Sequence, residues 1–357
     1  MTTTADAIVV GGGIIGLCSA TAIAANGFSV VLVGEHRLGE ASPAAAGMLS
    51  PAVEKAEGPA HEFAIASRDM YPLYLEELAE AVGIRVPLNR LGVLQVALSE
   101  RGVRGLQKTA SPVSEWIDRA ELTRLEPTLG HAIGAVMNPG DGAVDNRILL
   151  AALNELADAS PLISRISASA IGIELYHGSP AIKLADGSRL GAAKVVLAPG
   201  AWGGAISGAP LLSSIQPSRG QLVAYSGIGL RHVTYGPRGY LVPRGVTTTI
   251  AGSTMENSGF NPVTTPEGIA RVRSSAAEIA PALGAMSLVS SWAGLRPMTP
   301  DMLPLLGADP NSPQIIYCCG HSRNGILLGP LSGRTVAELV ADKPATFDLS
   351  QFRPDRF

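Results

Sequence analysis

Residues 6–35 read DAIVVGGGIIGLCSATAIAANGFSVVLVGE, with an acid at each end and no charge between. An uncharged run of this length suffices to cross a bilayer, where roughly 20 apolar residues span the hydrocarbon. The flanks oppose that. MTTTAD ahead of the run has an acid and neither Lys nor Arg, whereas secretory signals open on a basic segment and membrane spans are flanked by positive charge. Three consecutive glycines, Gly11 to Gly13, and the pair Asn26-Gly27 would also break a continuous helix. Under the rules for water-soluble chains the run divides into a buried strand at 7–10, a glycine turn at 11–13, a helix at 14–25 stopped by Asn-Gly, and a second buried strand at 29–33. The expectation is a βαβ unit.

Within it Gly11, Gly13 and Gly16 form G-x-G-x-x-G directly after the strand. The first glycine permits the turn, the second lets backbone approach a pyrophosphate, and the third allows helix and strand to pack closely. Phosphate charge then meets free N–H groups and the positive end of the helix dipole. The spacing alone is weak evidence, but the strand before it and the helix after it favour dinucleotide binding over a purely structural glycine turn. An acid ordinarily closes the second strand and binds the ribose hydroxyls. Here Gly34 stands first and Glu35 follows one position late, a slip that turns a strand residue to the other face. Two readings stay open: a bulge returns Glu35 to the ribose, or Gly34 supplies backbone and Glu35 is a solvated surface residue. No second GxGxxG follows, so one cofactor is expected, not flavin and nicotinamide together.

The 357 residues are 46% hydrophobic and 16% charged, enough for one large or two modest domains with a sizeable core. A net charge of -3 provides no basic field for nucleic acid or an anionic membrane surface, so neither is an expected partner. Cys18 lies inside the opening motif, and Cys318 and Cys319 are adjacent in an apolar run where neighbours point to opposite faces. A disulfide framework is therefore not expected, and a reducing cytoplasm suits the pattern. The six histidines show neither paired spacing nor a nearby Cys pair at ligand spacing, such as C-x-x-C, so no metal site is expected.

Further along, residues 41–54 (ASPAAAGMLSPAVE) gather small side chains around Gly47, as where backbone lies against a ligand, although an Ala-rich helix start has the same composition. Residues 62–82 have helical periodicity, β-like runs such as GVLQVAL follow Leu88, and a charged helical stretch is expected over 106–125. KVVLAPGAWGG looks like a core strand running into a tight turn, and RGQLVAY, YLVPRG and TTTIAGST have the spacing of an antiparallel sheet. IIYCCGHSRNGILLGPLSGRTVAELV, residues 315–340, returns to an apolar strand, a glycine turn and a helix whose N-terminus can face the cofactor. The expected fold class is α/β, a nucleotide domain completed by distant segments with a β-sheet domain inserted twice.

AAAGMLSP, VVLAPGAW, YLVPR, WAGLRPMTPDMLPLLG and GHSRNGILLGP, in this order behind GGGIIG, resemble the glycine oxidase branch of the D-amino acid oxidase (DAO) flavoproteins over almost the full length. The resemblance implies a Rossmann-like FAD-binding domain (1–85, 142–215 and 296–357) and a substrate domain on a large antiparallel sheet (86–141 and 216–295). It implies oxidation of glycine, sarcosine or a small D-amino acid to the imine, with O2 reduced to hydrogen peroxide, and a role in thiamine precursor supply. At the cofactor it places Gly11, Gly13, Ile14, Ile15, Gly16, Gly34, Glu35, Ser42, Ala46, Gly47, Met48, Ala170 and Gly200. The later run His321, Ser322, Arg323, Asn324, Gly325, Ile326 and Leu327 joins them, His321 contributing backbone and not acid-base chemistry. Arg296 is assigned the substrate carboxylate, Tyr240 a second hydrogen bond, Arg323 a place near both substrate and flavin, and Met255 with Met48 the apolar wall.

Chemistry supports this independently. A flavin accepts a hydride, so the protein need only orient the substrate carbon and fix its carboxylate, for which a planar guanidinium is suited. Each residue also has a plainer role: an interdomain ion pair for Arg296, a core tyrosine for Tyr240, a gap filler for Met255. Gly294 stands where related sarcosine oxidases carry a linking Cys, so the FAD is expected to be non-covalent. Arg238 adds positive charge near the pocket. None of Lys55, Lys108, Lys183, Lys194 and Lys343 falls in 200–330, leaving no lysine for oxygen activation and a quinone or protein acceptor as the alternative to O2. Rival readings are a tailoring oxidase for a larger amine, a flavin-binding protein without turnover, and a nicotinamide-linked dehydrogenase. Enzymes of this size are often symmetric homo-oligomers, and the sequence leaves the oligomeric state open.

Overall fold

The computed structural model describes residues 3–54, 56–176 and 178–357. The opening run folds into strand β1 (Thr3–Val10), helix α1 (Ile14–Ala25) and strand β2 (Val30–Val33). β1 and β2 pair in parallel. Along β2, Val30 and Leu32 enter the core on the helical side of the sheet while Val31 and Val33 enter the core on the other side. Burial on both faces explains why the strand is apolar at every position. Cys318 and Cys319 divide between the same two cores, and all three cysteines are buried and free.

Five strands run parallel side by side: Ile163–Ile166, β2, β1, Arg189–Leu197 and Ile315–Cys319. Leu305–Ala308 adds an antiparallel edge, and the hairpin Ala170–Tyr176 with Ser179–Leu184 joins the start of the Arg189–Leu197 strand. Helices α1, Pro59–Val82, Asn146–Ala159 and Gly325–Val340 cover one face. Parallel strands place all their carboxyl ends at one edge, so the loops leaving Val10, Val33, Ile166, Leu197 and Cys319 converge there. In open α/β sheets this edge is where ligands bind.

The second sheet has eight strands in the order Ser290–Met298, Gln216–Ser226, Thr248–Gly252, Tyr240–Arg244, Val233–Tyr235, Val93–Ala97, Gly134–Asn138, Glu115–Asp118. It is not wholly antiparallel as expected. Val233–Tyr235 lies parallel to Val93–Ala97, at the seam between the two inserted stretches, where no hairpin forces the antiparallel sense. The boundary expected at 296 falls inside a continuous strand, whose pairing with Gln216–Ser226 runs on to Met298. The stretch expected as one helix over 106–125 is instead helix Glu100–Thr109, strand Glu115–Asp118 and helix Arg119–Leu125. Pro112 lies in the break, and the Asp118 carboxylate caps the second helix by accepting from Glu121 N at 2.9 Å.

Helix Pro266–Ile279 covers one face of this sheet with Val272, Ala276 and Ile279. The opposite face carries Leu222, Val242, Tyr235, Tyr240 and Trp292, and it looks toward the first sheet. A small third sheet, Met48–Leu49, Gly142–Val144 and Leu88–Asn89, joins chain segments between the two. Among the described residues no helix is long and apolar enough to cross a membrane.

Candidate active site

A continuous cavity of about 480 Å³ runs from the carboxyl edge of the parallel sheet to the face of the second sheet. At the first end its wall is backbone. Gly11 has φ +116°, and a Cβ there would lie 2.1 Å from the Ala198 carbonyl oxygen. A Cβ on Gly16 would lie 1.7 Å from the Gly11 carbonyl oxygen, and one on Gly34 would lie 2.8 Å from Gly12 N. The last contact explains why no acid stands at 34: any side chain there would press the phosphate-type loop. At Gly12, by contrast, no atom lies within 4 Å of the Cβ position, so ligand can approach the backbone.

Two helix N-termini open into the cavity through Gly13, Ile14, Ile15 and through Gly325 and Ile326. Neither N-cap residue, Gly13 or Asn324, makes a side-chain cap. Ser42 Oγ meets one of the α1 donors, accepting from Ile14 N at 3.0 Å. A glycine cradle at a helix N-terminus with unfilled space beside it fits a pyrophosphate, and these residues fit FAD. Glu35 lines the cavity despite its late position. Its carboxylate accepts from the Ser169 hydroxyl and from Arg37 Nε at 3.1 Å, which hold it below the usual carboxylate range.

Small residues 41–48 lie against this end, and the second sheet fixes them. Arg244 donates to Ala46 O at 2.8 Å, Val144 O at 2.7 Å and Asn146 Oδ1 at 2.8 Å, while Trp292 Nε1 donates to Ala44 O at 2.9 Å. Gly47 has φ +71°, and a Cβ there would lie 2.1 Å from Val144 O. His321 sits on the wall with Nε2 3.0 Å from Ser332 Oγ and Nδ1 buried without a partner. Burial pushes its pKa down to about 3, so the ring stays neutral.

The far end is made of side chains. Arg296 donates from Nη2 to Ser253 Oγ at 2.6 Å and from Nη1 to Thr254 O at 3.1 Å, and it shares the cavity wall with Tyr240. Burial lowers its pKa, yet an arginine remains protonated. No carboxylate among the described residues lies within ion-pair distance of it. Arg323 does have a partner, Glu54, at 2.6 Å. Tyr235 packs beside Tyr240 with ring centroids 5.7 Å apart, and desolvation raises its pKa well above that of a free phenol.

The structure thus gathers Arg296, Tyr240, Arg323 and Met255 at one end and most of the expected cofactor residues at the other. Ser42, Ala46, Met48, Ala170, Gly200 and Ser322 all lie on the wall. Gly16, Asn324 and Leu327 do not. Gly16 lies under Gly11, Asn324 is the cap of its helix, and Leu327 turns into the core, its carbonyl accepting from Ser67 Oγ at 2.7 Å. Arg238 reaches the wall but is mostly exposed and paired with Glu278 at 2.8 Å. Glu54, Tyr235 and Arg244 were not singled out by sequence. The signals available were an acid closing a small-residue run, a tyrosine five positions before Tyr240, and the Arg of YLVPR.

A family described as FAD dependent oxidoreductase (DAO) matches residues 6–339. The chain is 32% identical to the glycine oxidase of Geobacillus kaustophilus over 99% of this chain and 97% of that protein. It is 33% identical to the bifunctional protein ThiO/ThiG of Synechocystis sp., covering 100% of this chain and 55% of the relative. It therefore spans about half the length of that bifunctional relative. The crystal structure of glycine oxidase from Geobacillus kaustophilus matches at TM-score 0.92 and 30% identity, covering 100% of both chains.

Proposed function

The chain belongs to the DAO family of FAD dependent oxidoreductases, and from that premise we propose that it oxidises the amine of glycine, sarcosine or a small D-amino acid to the imine. The observation that carries this reading is the Arg296 guanidinium, turned into the cavity with hydroxyl and carbonyl partners but no carboxylate. A half-buried cation without a counter-charge favours an anionic ligand, and the guanidinium fork matches a carboxylate. The Tyr240 hydroxyl, on the same wall as Arg296, has a hydrogen to donate to a substrate oxygen. Arg323 and Glu54 neutralise each other nearby, so one net positive charge faces one carboxylate. Anchored by that group, the substrate carbon and amine are held in a fixed direction along the cavity. When bound, FAD supplies the hydride acceptor and passes electrons to O2, giving hydrogen peroxide. Hydride loss from a neutral amine asks no general base of the wall.

A second reading, a dehydrogenase using a quinone or protein acceptor, has one observation of its own: no described lysine lines the cavity. An amine panel under air, with glycine, sarcosine, D-alanine, D-proline and bulkier amines, separates the two. Peroxide equal to amine consumed supports the oxidase, consumption only with added quinone supports the dehydrogenase, and no consumption of any amine overturns both. Bulkier amines consumed in preference would point to a tailoring oxidase. Acid precipitation should release the yellow colour, since Gly294 offers no thiol for linkage. We place the protein in the cytoplasm and expect a homo-oligomer. Its buried thiols, Cys18 pushed up to about 12, suit a reducing compartment. Thiamine precursor supply rests on family resemblance.

A further inference from the structure

A second chamber of about 310 Å³ adjoins the main cavity, and the two share Arg238, Ser253, Thr254 and Met255. Ser253 and Thr254 are also the residues that hold Arg296. The chamber therefore begins one residue behind the carboxylate anchor. Met255 is 54% exposed and lines both spaces.

Beyond Met255 the wall is cationic and hydroxylic. Arg271, Ser274 and Ser275 come from helix Pro266–Ile279, where spacing of three and four residues puts them on one face. Arg271 and Arg219 both pair with Glu256, and Arg238 pairs with Glu278 at 2.8 Å. Three guanidiniums thus share two carboxylates; Arg219 and both glutamates lie off the chamber wall, which leaves Arg238 and Arg271 as its charged groups. At the substrate end Arg296 and Arg323 face Glu54. Guanidinium groups therefore stand on either side of Met255, Arg296 and Arg323 in the main cavity and Arg238 and Arg271 in the second chamber.

We propose that the second chamber is an anion subsite, so that amino acids bearing a second carboxylate bind with one acid on Arg296 and the other at Arg238 and Arg271. The inference rests on the amine-oxidase reading for the first anchor. Because Arg238 and Arg271 are both mostly exposed, water and salt limit the gain to about tenfold in affinity.

The test is a titration of FAD-loaded protein with two unreactive acids of equal length, glutarate and valerate, read from the visible spectrum of the bound flavin. Glutarate should bind about tenfold more tightly than valerate at low salt, with the advantage fading as salt is added. Arg271→Gln should remove the advantage while leaving the valerate Kd and sarcosine turnover within about twofold, and Arg271→Lys should keep part of it. N-(2-carboxyethyl)glycine should then show a lower KM than N-ethylglycine in the wild type only. Equal affinities for the two acids, no spectral response to either, or equal weakening of both by Arg271→Gln would overturn the subsite. Failure to oxidise sarcosine, with the glutarate preference intact, would strike the amine-oxidase reading and leave the subsite standing.

Discussion

At one end of the cavity Gly11, Gly16 and Gly34 hold their neighbours so closely that a methyl group cannot be added, whereas at the other Arg296 and Tyr240 reach in from two strands of a different sheet. The first end recognises through backbone N–H groups and helix ends, which are fixed once the chain folds. The second, on the proposed function, recognises through individual side chains that the fold should survive losing. Recognition by shape and recognition by functional groups should therefore break in different ways: added volume should abolish the first together with stability, and removed groups should abolish the second alone.

The largest effect that would sharpen this contrast is at Gly16. Gly16→Val forces the Cβ into the Gly11 carbonyl and should cost about 3 kcal/mol or more of stability. The purified variant should be colourless, lacking flavin absorbance at about 450 nm, and should melt early in urea. Next is Arg296→Ala, which should retain full FAD content while kcat/KM for sarcosine falls about a thousandfold, about 4 kcal/mol. Unequal FAD loading of that variant would blur the contrast between the two ends.

His321 gives a pH test of the first end. Burial holds its pKa at about 3, against 6.5 for an exposed ring. The unfolded chain therefore takes up a proton that the folded chain refuses, and stability falls on acidification below pH about 6 by about 1.4 kcal/mol per unit for this group. Urea melts at two acidic pH values should show that slope, and His321→Asn should flatten it. The smallest effect is at Tyr240. Tyr240→Phe removes one hydrogen bond and should lower kcat/KM about tenfold with FAD binding unchanged.

The two ends also differ in how far they can be read from the chain. β1, α1 and β2 follow from local signals, an unbroken apolar strand, glycines spaced for a turn and an Asn-Gly stop, all within residues 6–35. The proposed substrate end draws on Glu54, Tyr235, Tyr240, Ser253, Arg296 and Arg323, which no local period connects. Tyr240, Arg296 and Arg323 were legible through motifs that resemble a family, not through spacing. Glu54 and Tyr235 become meaningful only once the second sheet lies across the first. The parallel pairing of Val233–Tyr235 with Val93–Ala97 was equally hidden, because nothing in either stretch records the sense in which separately inserted strands meet. Gly34 shows the reverse case: its departure from the usual acid was plain in sequence, and its cause, the nearby Gly12 backbone, was not.

A backbone cradle that fits FAD and a guanidinium without a carboxylate partner share one cavity. Anaerobic mixing of sarcosine with FAD-loaded wild type and Arg296→Ala tests it most directly, by the loss of flavin absorbance at about 450 nm. Bleaching should be rapid in the wild type and almost absent in equally yellow Arg296→Ala at the same sarcosine concentration. Bleaching at equal rates in both proteins would contradict it.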